Sequence, residues 1–262
     1  MDRLIKNLTL LFILILSGVL ITLSTPFAET QNDSTDSRLD IILVDSYARE
    51  SVLYKCLSST YPTSDIQTLD STNTPELHSE KTLSILFKLD SSTCGDLPPN
   101  VSIKHIGTVG NEKISEKELI RALEAACLTD PDIILLPMSM SNSSKDLERV
   151  TKCLLDSGAT ILASAGNNIG GPIGYPAALE GVWSVGALDE KGKPAIYNSN
   201  GQIDIFFPGT QVKYVNAQNE TGLATGTSIA VANAGIFLAE SYLHKKDITS
   251  LLNDSRYREE KQ

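Results

Sequence analysis

From Leu39 onward, short apolar runs alternate with amphipathic stretches. Residues 40–44 (Asp-Ile-Ile-Leu-Val) form a compact apolar run of the kind that makes a buried parallel strand. Residues 101–109 read as a second strand. Across residues 115–128, Leu119, Ile120, Leu123, Ala126 and Cys127 recur at helical spacing, and Ser115 with Glu118 makes a capping box at the start. Residues 132–137 (Asp-Ile-Ile-Leu-Leu-Pro) predict a strand, and residues 147–155 a helix ending at Ser157-Gly158. Residues 159–163 and 182–187 predict two further strands, and residues 228–244 a long apolar helix. Strands alternating with helices imply βαβ units. The expected fold class is α/β, a mostly parallel central sheet with helices on both faces, in three layers, α/β/α. Sites in such sheets lie at the carboxyl ends of the strands. There is no internal repeat and no break after residue 39 that marks a second domain.

The ends of the chain are different. Arg3 and Lys6 precede an apolar run from Leu8 to Leu23, broken only by Thr9, Ser17, Gly18 and Thr22. Ser24-Thr25-Pro26-Phe27-Ala28 follows, completing the three-part pattern of a secretory signal over residues 1–28. The apolar core is shorter than the roughly 20 residues a spanning helix prefers. Cleavage after Ala28 meets Pro26 and cleavage after Ser24 meets Thr22, so an uncleaved N-terminal anchor stays open as an alternative. Both place the domain outside the cytoplasm, secreted or tethered. Residues 29–38 read as a polar linker, 39–252 as the folded domain and 253–262 as a charged tail.

A net charge of −10 argues against nucleic acid as a partner, since phosphate binding needs a basic stripe. Hydrophobic residues at 41% and charged residues at 21% are ordinary for a globular domain with a sizeable core. Four cysteines, Cys56, Cys94, Cys127 and Cys153, allow three pairings or free thiols, and their spacing matches no metal site.

Four residues carry candidate chemistry. Gly226-Thr227-Ser228 opens directly into an apolar helix, which puts the Ser228 hydroxyl and N–H at the positive end of a helix dipole. Residues 160–168 (Thr-Ile-Leu-Ala-Ser-Ala-Gly-Asn-Asn) end a buried strand in small residues and two amides; the Asn167 side chain there can donate to a developing oxyanion. Asp45 closes the first strand, where an acid can orient a histidine. His78 starts an amphipathic run, whereas His105 lies inside a strand pattern and His244 beside Lys245 and Lys246. Taken singly, each has an ordinary reading: Ser228 as an N-cap, Asn167 as a turn amide, Asp45 as an Asx turn, His78 as a surface residue.

Order and spacing are more specific than any single residue. His78 follows Asp45 by 33 residues and Ser228 follows His78 by 150, with Asn167 between them. This is the subtilisin order of a Ser-His-Asp triad. Over about residues 40–243 the chain resembles the subtilases. Gly226-Thr227-Ser228-Ile229-Ala230 is similar to their serine motif and Ala163-Ser164-Ala165-Gly166-Asn167 to their oxyanion motif. Tyr175-Pro176-Ala177-Ala178, continuing through Val182 to Ala187, resembles the segment that follows, and residues 132–139 the strand leading to the substrate edge. The resemblance implies a serine endopeptidase with Asp45, His78 and Ser228 as triad. Asn167 and the Ser228 N–H would form the oxyanion hole, and a peptide would lie along Ser139, Met140 and Ser141 beside Ala165 and Gly166. It implies a peptide or protein substrate, a monomer and no required cofactor. Calcium is common in the family, but no acidic cluster here marks a site. A membrane is a partner only if the N-terminal segment is retained. No long propeptide is expected, as in the leader peptidases of lantibiotic gene clusters, which suits a narrow processing enzyme.

The chain also departs from the family pattern. Tyr47 stands where Gly usually follows the aspartate, and His78-Ser79-Glu80-Lys81 keeps only the histidine of its motif. No proline follows Ala230, and Ser141-Asn142 replaces glycines at the substrate edge. Two other readings therefore compete: an impaired subtilase fold that binds peptides or a partner protein, and a non-proteolytic acyl hydrolase using the same triad.

Overall fold

The computed structural model describes residues 38–46, 78–89, 98, 100–108, 114–216, 218–242, 250 and 252. Six parallel strands form one sheet in the order β2-β1-β3-β4-β5-β6. They are β1 (Leu39–Ser46), β2 (Val101–Thr108), β3 (Ile133–Leu136), β4 (Thr160–Ser164), β5 (Trp183–Leu188) and β6 (Ile205–Pro208). A separate antiparallel hairpin pairs β7 (Val212–Val215) with β8 (Thr221–Ala224). Four helices are described: α1 (His78–Leu86), α2 (Glu116–Cys127), α3 (Lys145–Asp156) and α4 (Thr227–Tyr242).

Side-chain alternation along the strands builds the three layers. Leu39, Ile41 and Leu43 of β1 share one face with Ile133 and Leu135 of β3. There they pack on Leu83 and Leu86 of α1 and on Ala230, Val231, Ala234 and Leu238 of α4. Ile42, Val44, Ile134, Leu136, Ile161 and Ala163 point to the opposite face, against Leu119, Leu123 and Ala126 of α2 and Leu147, Val150 and Leu154 of α3. Burying each large aliphatic side chain contributes about 1.5–3 kcal/mol. Helix α4 lies close on the sheet because Gly235 has no side chain; a β-carbon there would meet Leu135 and Leu86.

The expected strands and helices are present, with the boundaries moved by a residue or two. The capping box of α2 forms as read: Ser115 accepts from the Glu118 N–H, and Glu118 accepts from the Ser115 N–H. Ser144 caps α3 by accepting from Leu147 N–H. A disulfide joins Cys127 at the end of α2 to Cys153 in α3. The signal and linker segments, Cys56, Cys94 and the C-terminal tail lie outside the described residues. No described helix is long and apolar enough to cross a membrane.

Strand order reverses at β1, which has β2 on one side and β3 on the other. In a doubly wound sheet the crevice at such a switch point, beyond the carboxyl ends of the strands, is where ligands bind.

Candidate active site

Asp45 sits at the carboxyl end of β1 and is almost fully buried. His78, the first residue of α1, donates from Nδ1 to the Asp45 carboxylate, 2.8 Å from Oδ1 and 3.0 Å from Oδ2. The helix start is fixed on the strand end by the Ser79 N–H, which donates to Ser46 Oγ at 3.0 Å. The Thr82 hydroxyl donates to Asp45 Oδ2 at 2.6 Å, and the Ser46 N–H to Oδ1 at 2.6 Å. Burial pushes the Asp45 carboxyl up, but the His78 charge and the hydrogen bonds from His78, Thr82 and Ser46 outweigh it and hold the group below its usual value. The Asp45 charge raises the His78 pKa above the ordinary histidine value, against burial and Lys81.

The tautomer follows from the partner. An ionised carboxylate only accepts, so Nδ1 carries the proton and the neutral ring leaves its lone pair on Nε2. The His78 side chain is about one-third exposed, so the ring is held at its inner edge and open at its outer one.

Ser228 is the second residue of α4, after Gly226 at φ +150°. The carbonyl of Gly226 accepts the N–H groups of Ile229 and Ala230, which begins the helix. Asn167 follows β4, and its Oδ1 accepts from the Thr227 N–H at 2.9 Å and the Thr227 hydroxyl at 3.0 Å. Those two bonds fix the amide's orientation and turn Nδ2 outward. Nδ2 and Ser228 Oγ border the same space: a β-carbon on Gly226 would stand 3.2 Å from one and 3.4 Å from the other. Thr227 is the hub of this cluster, as its fully buried hydroxyl also meets Ser164 Oγ at 2.5 Å and accepts from the Gly166 N–H at 3.2 Å.

The two halves stand at the carboxyl ends of β1 and β4, with β3 between them. Neighbouring strands are about 4.8 Å apart, so roughly 10 Å separates the two strand ends. Helices α1 and α4 lie on the same face of the sheet and pack together. Among the described residues no hydrogen bond joins His78 to Ser228; such pairs are often loose in unliganded sites.

The segment after β3 supplies an edge. Met140 N–H donates to the Tyr175 carbonyl and Tyr175 N–H to the Met140 carbonyl, both at 2.8 Å. Extended backbone directs the polar groups of successive residues to opposite sides, so those of Ser139 and Ser141 face away from Tyr175. Met140 therefore offers no main-chain group to a ligand. Ser139 and Ser141 are exposed. The Ser139 hydroxyl fills the space beside Gly166 and Gly174 that side chains there would need. Ala165 and Gly166, expected to contact substrate, are buried, Ala165 against Ile203 and Phe206, and their main chains are already used. Ala165 bonds Val185 and Gly174, while Gly166 bonds Thr227 and Ser199.

The sequence alone does not mark the supporting roles of Thr82 and Thr227. Thr82 lies four residues after His78, hence on the same helix face, which is the available signal.

A family model described as "Subtilase family" matches residues 85–251, well over half of the chain. The chain belongs to the subtilase family. That match begins after Asp45 and His78, so their pairing is a finding of the structure. "Minor extracellular protease Epr" of Bacillus subtilis (strain 168) is 28% identical over 127 residues, covering 47% of this chain and 19% of that protein. "Subtilisin DY" of Bacillus licheniformis is 29% identical over 155 residues, covering 55% of this chain and 56% of that protein. The match thus spans little more than half of these relatives at most. The solved structure titled "Structure of Patellamide maturation protease PatA" superposes with TM-score 0.65 at 21% identity, covering 83% of this chain and 85% of that one. "Structure of Prenylagaramide maturation protease PagA" gives TM-score 0.63 at 21% identity, over 80% and 78%. At that identity the likeness is one of fold.

Proposed function

We propose that this chain is an exported serine endopeptidase that cuts peptide bonds through Ser228, His78 and Asp45. The observation that carries the reading is the buried Asp45–His78 pair, which leaves His78 Nε2 as a free base in the crevice. Nε2 takes the Ser228 proton as Oγ attacks a peptide carbonyl. Asp45 holds the tautomer and offsets the charge of the imidazolium. Asn167 Nδ2 and the Ser228 N–H receive the oxyanion of the tetrahedral intermediate, an effect worth about 3 kcal/mol per donor. His78 returns the proton to the leaving amine, and water releases the acyl group by the same steps in reverse. No cofactor takes part.

The peptide lies extended beside residues 138–141 and bonds to Ser139 and Ser141, in the manner of an added strand. A narrow processing role, such as removal of a leader from a precursor peptide, is supported by two considerations. Ser141 and Asn142 put side chains at the groove edge, and two fold neighbours are named as maturation proteases. The signal-like pattern of residues 1–28 supports export. A second reading, binding without turnover, draws on the histidine motif, of which His78-Ser79-Glu80-Lys81 keeps only the histidine.

The test is digestion of a mixed peptide library by the full chain, read by mass spectrometry beside Ser228→Ala. Internal cleavage that disappears in the variant is the expected result. Equal cleavage by both proteins would overturn the assignment, and a folded wild type that binds peptides without cutting them would favour the second reading.

A further inference from the structure

A second histidine is buried next to the site, and the mechanism above makes no use of it. Strands β1 and β2 pair in register, with Leu43 beside His105 and Asp45 beside Gly107. By the alternation of side chains, His105 and Asp45 lie on the same face of the sheet, the one covered by α1. Gly107, directly beside Asp45, has no side chain, so the nearest one from β2 on that face is His105. Only 2% of His105 is exposed. Neither of its ring nitrogens has a hydrogen-bond partner. A main-chain group of Ser46 does lie close enough to favour the protonated ring, short of a hydrogen bond of ordinary geometry, and the Asp45 carboxylate acts in the same direction.

Unpartnered buried polar groups are rare and call for a cause. Both Asp45 oxygens are already taken, Oδ1 by Ser46 and His78, and Oδ2 by His78 and Thr82. A neutral His105 therefore packs beside the carboxylate without drawing on it. A protonated His105 would be a buried cation. The charged groups on the elements around it are Asp45 on β1 and His78, Glu80 and Lys81 on α1; Lys104 alternates to the other face of the sheet, where α2 lies.

We propose that His105 is a positioning residue for the triad: neutral, it walls Asp45 in place and leaves both oxygens to their present donors; protonated, it draws the carboxylate off His78 and silences the site. The proposal rests on the Asp45–His78 reading above. Burial holds the His105 pKa below the ordinary histidine value, against the pull of Asp45 and Ser46. His78 is shifted the other way, so on acidification His78 takes its proton first and His105 second.

Two measurements test this on the full chain. The first is imidazole nitrogen NMR across an acid titration, assigned with His105→Gln and His244→Gln. His105 should stay neutral below the ordinary histidine range, and its protonation step should also move the His78 signals. A His105 that titrates normally, or with no response at His78, overturns the proposal. The second is the acid limb of the reaction with a fluorophosphonate probe. The wild-type rate should fall tenfold per pH unit and then steepen towards a hundredfold, because both protons must leave before the site works. His105→Phe and His105→Gln should stay at tenfold; the same steepening in either variant overturns the proposal. If His105→Phe fails to fold, His105→Gln and the wild-type titration still decide. A wild type that never reacts with the probe would overturn the active-site reading instead. The NMR titration, which needs no activity, then decides on His105 alone.

Discussion

Asp45→Asn removes a charge from the site while leaving most of its hydrogen bonds a way to persist. The amide oxygen in the Oδ1 place still accepts from the Ser46 N–H, now at 2.6 Å, and from His78 Nδ1, now at 2.8 Å. The new NH2 takes the Oδ2 place and donates to the Thr82 hydroxyl. That hydroxyl then donates to the Ser79 carbonyl, 3.2 Å away, which it already contacts. The ring keeps its bond to the Oδ1 place but loses the one to Oδ2, where Nδ1–H now faces an amide donor 3.0 Å away, so the loss is that of the carboxylate opposite an imidazolium together with this second bond. Charges about 4 Å apart at an effective dielectric near 20 interact by about 4 kcal/mol. This corresponds to about 10³ in rate. A ring that flips to the wrong tautomer would bring the loss nearer 10⁴. The pH profile moves as well. The Asp45 charge and hydrogen bond raise the His78 pKa, while burial and Lys81 lower it. Removing the charge leaves the lowering influences in command. The acid limb, which lies above the ordinary histidine value of about 6.5 in the wild type, should therefore fall below it in Asp45→Asn. The assay is the second-order rate of reaction with a fluorophosphonate across the pH range. A loss under tenfold, or an unmoved limb, would refute the reasoning.

Other consequences follow from the same contacts. Asn167→Ala should lower kcat by about 10²–10³ with folding intact. Thr227→Val leaves the Gly166 N–H and the Ser164 hydroxyl without their buried partner, which should cost about 2–4 kcal/mol in urea denaturation. Its rate should fall less than that of Asn167→Ala, because the Thr227 N–H still holds Asn167 Oδ1. Reducing the Cys127–Cys153 bridge opens a loop of 26 residues and should lower stability by about 3 kcal/mol, read as a drop of several degrees in Tm in Cys127→Ser/Cys153→Ser. Below about pH 6.5 His78, with its raised pKa, is protonated in both folded and unfolded chains and adds no slope. Between that pH and its own lowered pKa, His105 takes up its proton more readily in the unfolded chain, so its contribution to stability should fall on acidification by at most about 1.4 kcal/mol per pH unit. His105→Phe should flatten that fall, and denaturation midpoints against pH would show it.

The sheet was legible where hydrophobicity is continuous. Residues 40–44 and 132–137 read as buried strands because both faces of β1 and β3 are covered. The segments not anticipated are those with weak local signals. Strand β6 is four residues ending in Pro208, and the β7–β8 hairpin is built from Val-Lys-Tyr-Val and Thr-Gly-Leu-Ala. The pairing of Cys127 with Cys153 depends on how α2 packs against α3, which spacing along the chain does not encode. At the site, the order of Asp45, His78, Asn167 and Ser228 was readable. Their supports were not: Thr82, Thr227 and the Met140–Tyr175 bridge act through contacts between distant segments. His105 shows the limit most clearly, since a strand pattern places it inside the sheet and only strand register places it beside Asp45.

The most direct test of the central claim is the site of covalent reaction on the folded protein. Treated with a fluorophosphonate and digested, the full chain should carry one adduct, on the Ser228 hydroxyl, that is absent after denaturation and absent in Ser228→Ala. An adduct on another residue, or none on a folded wild type at any pH, would contradict the account.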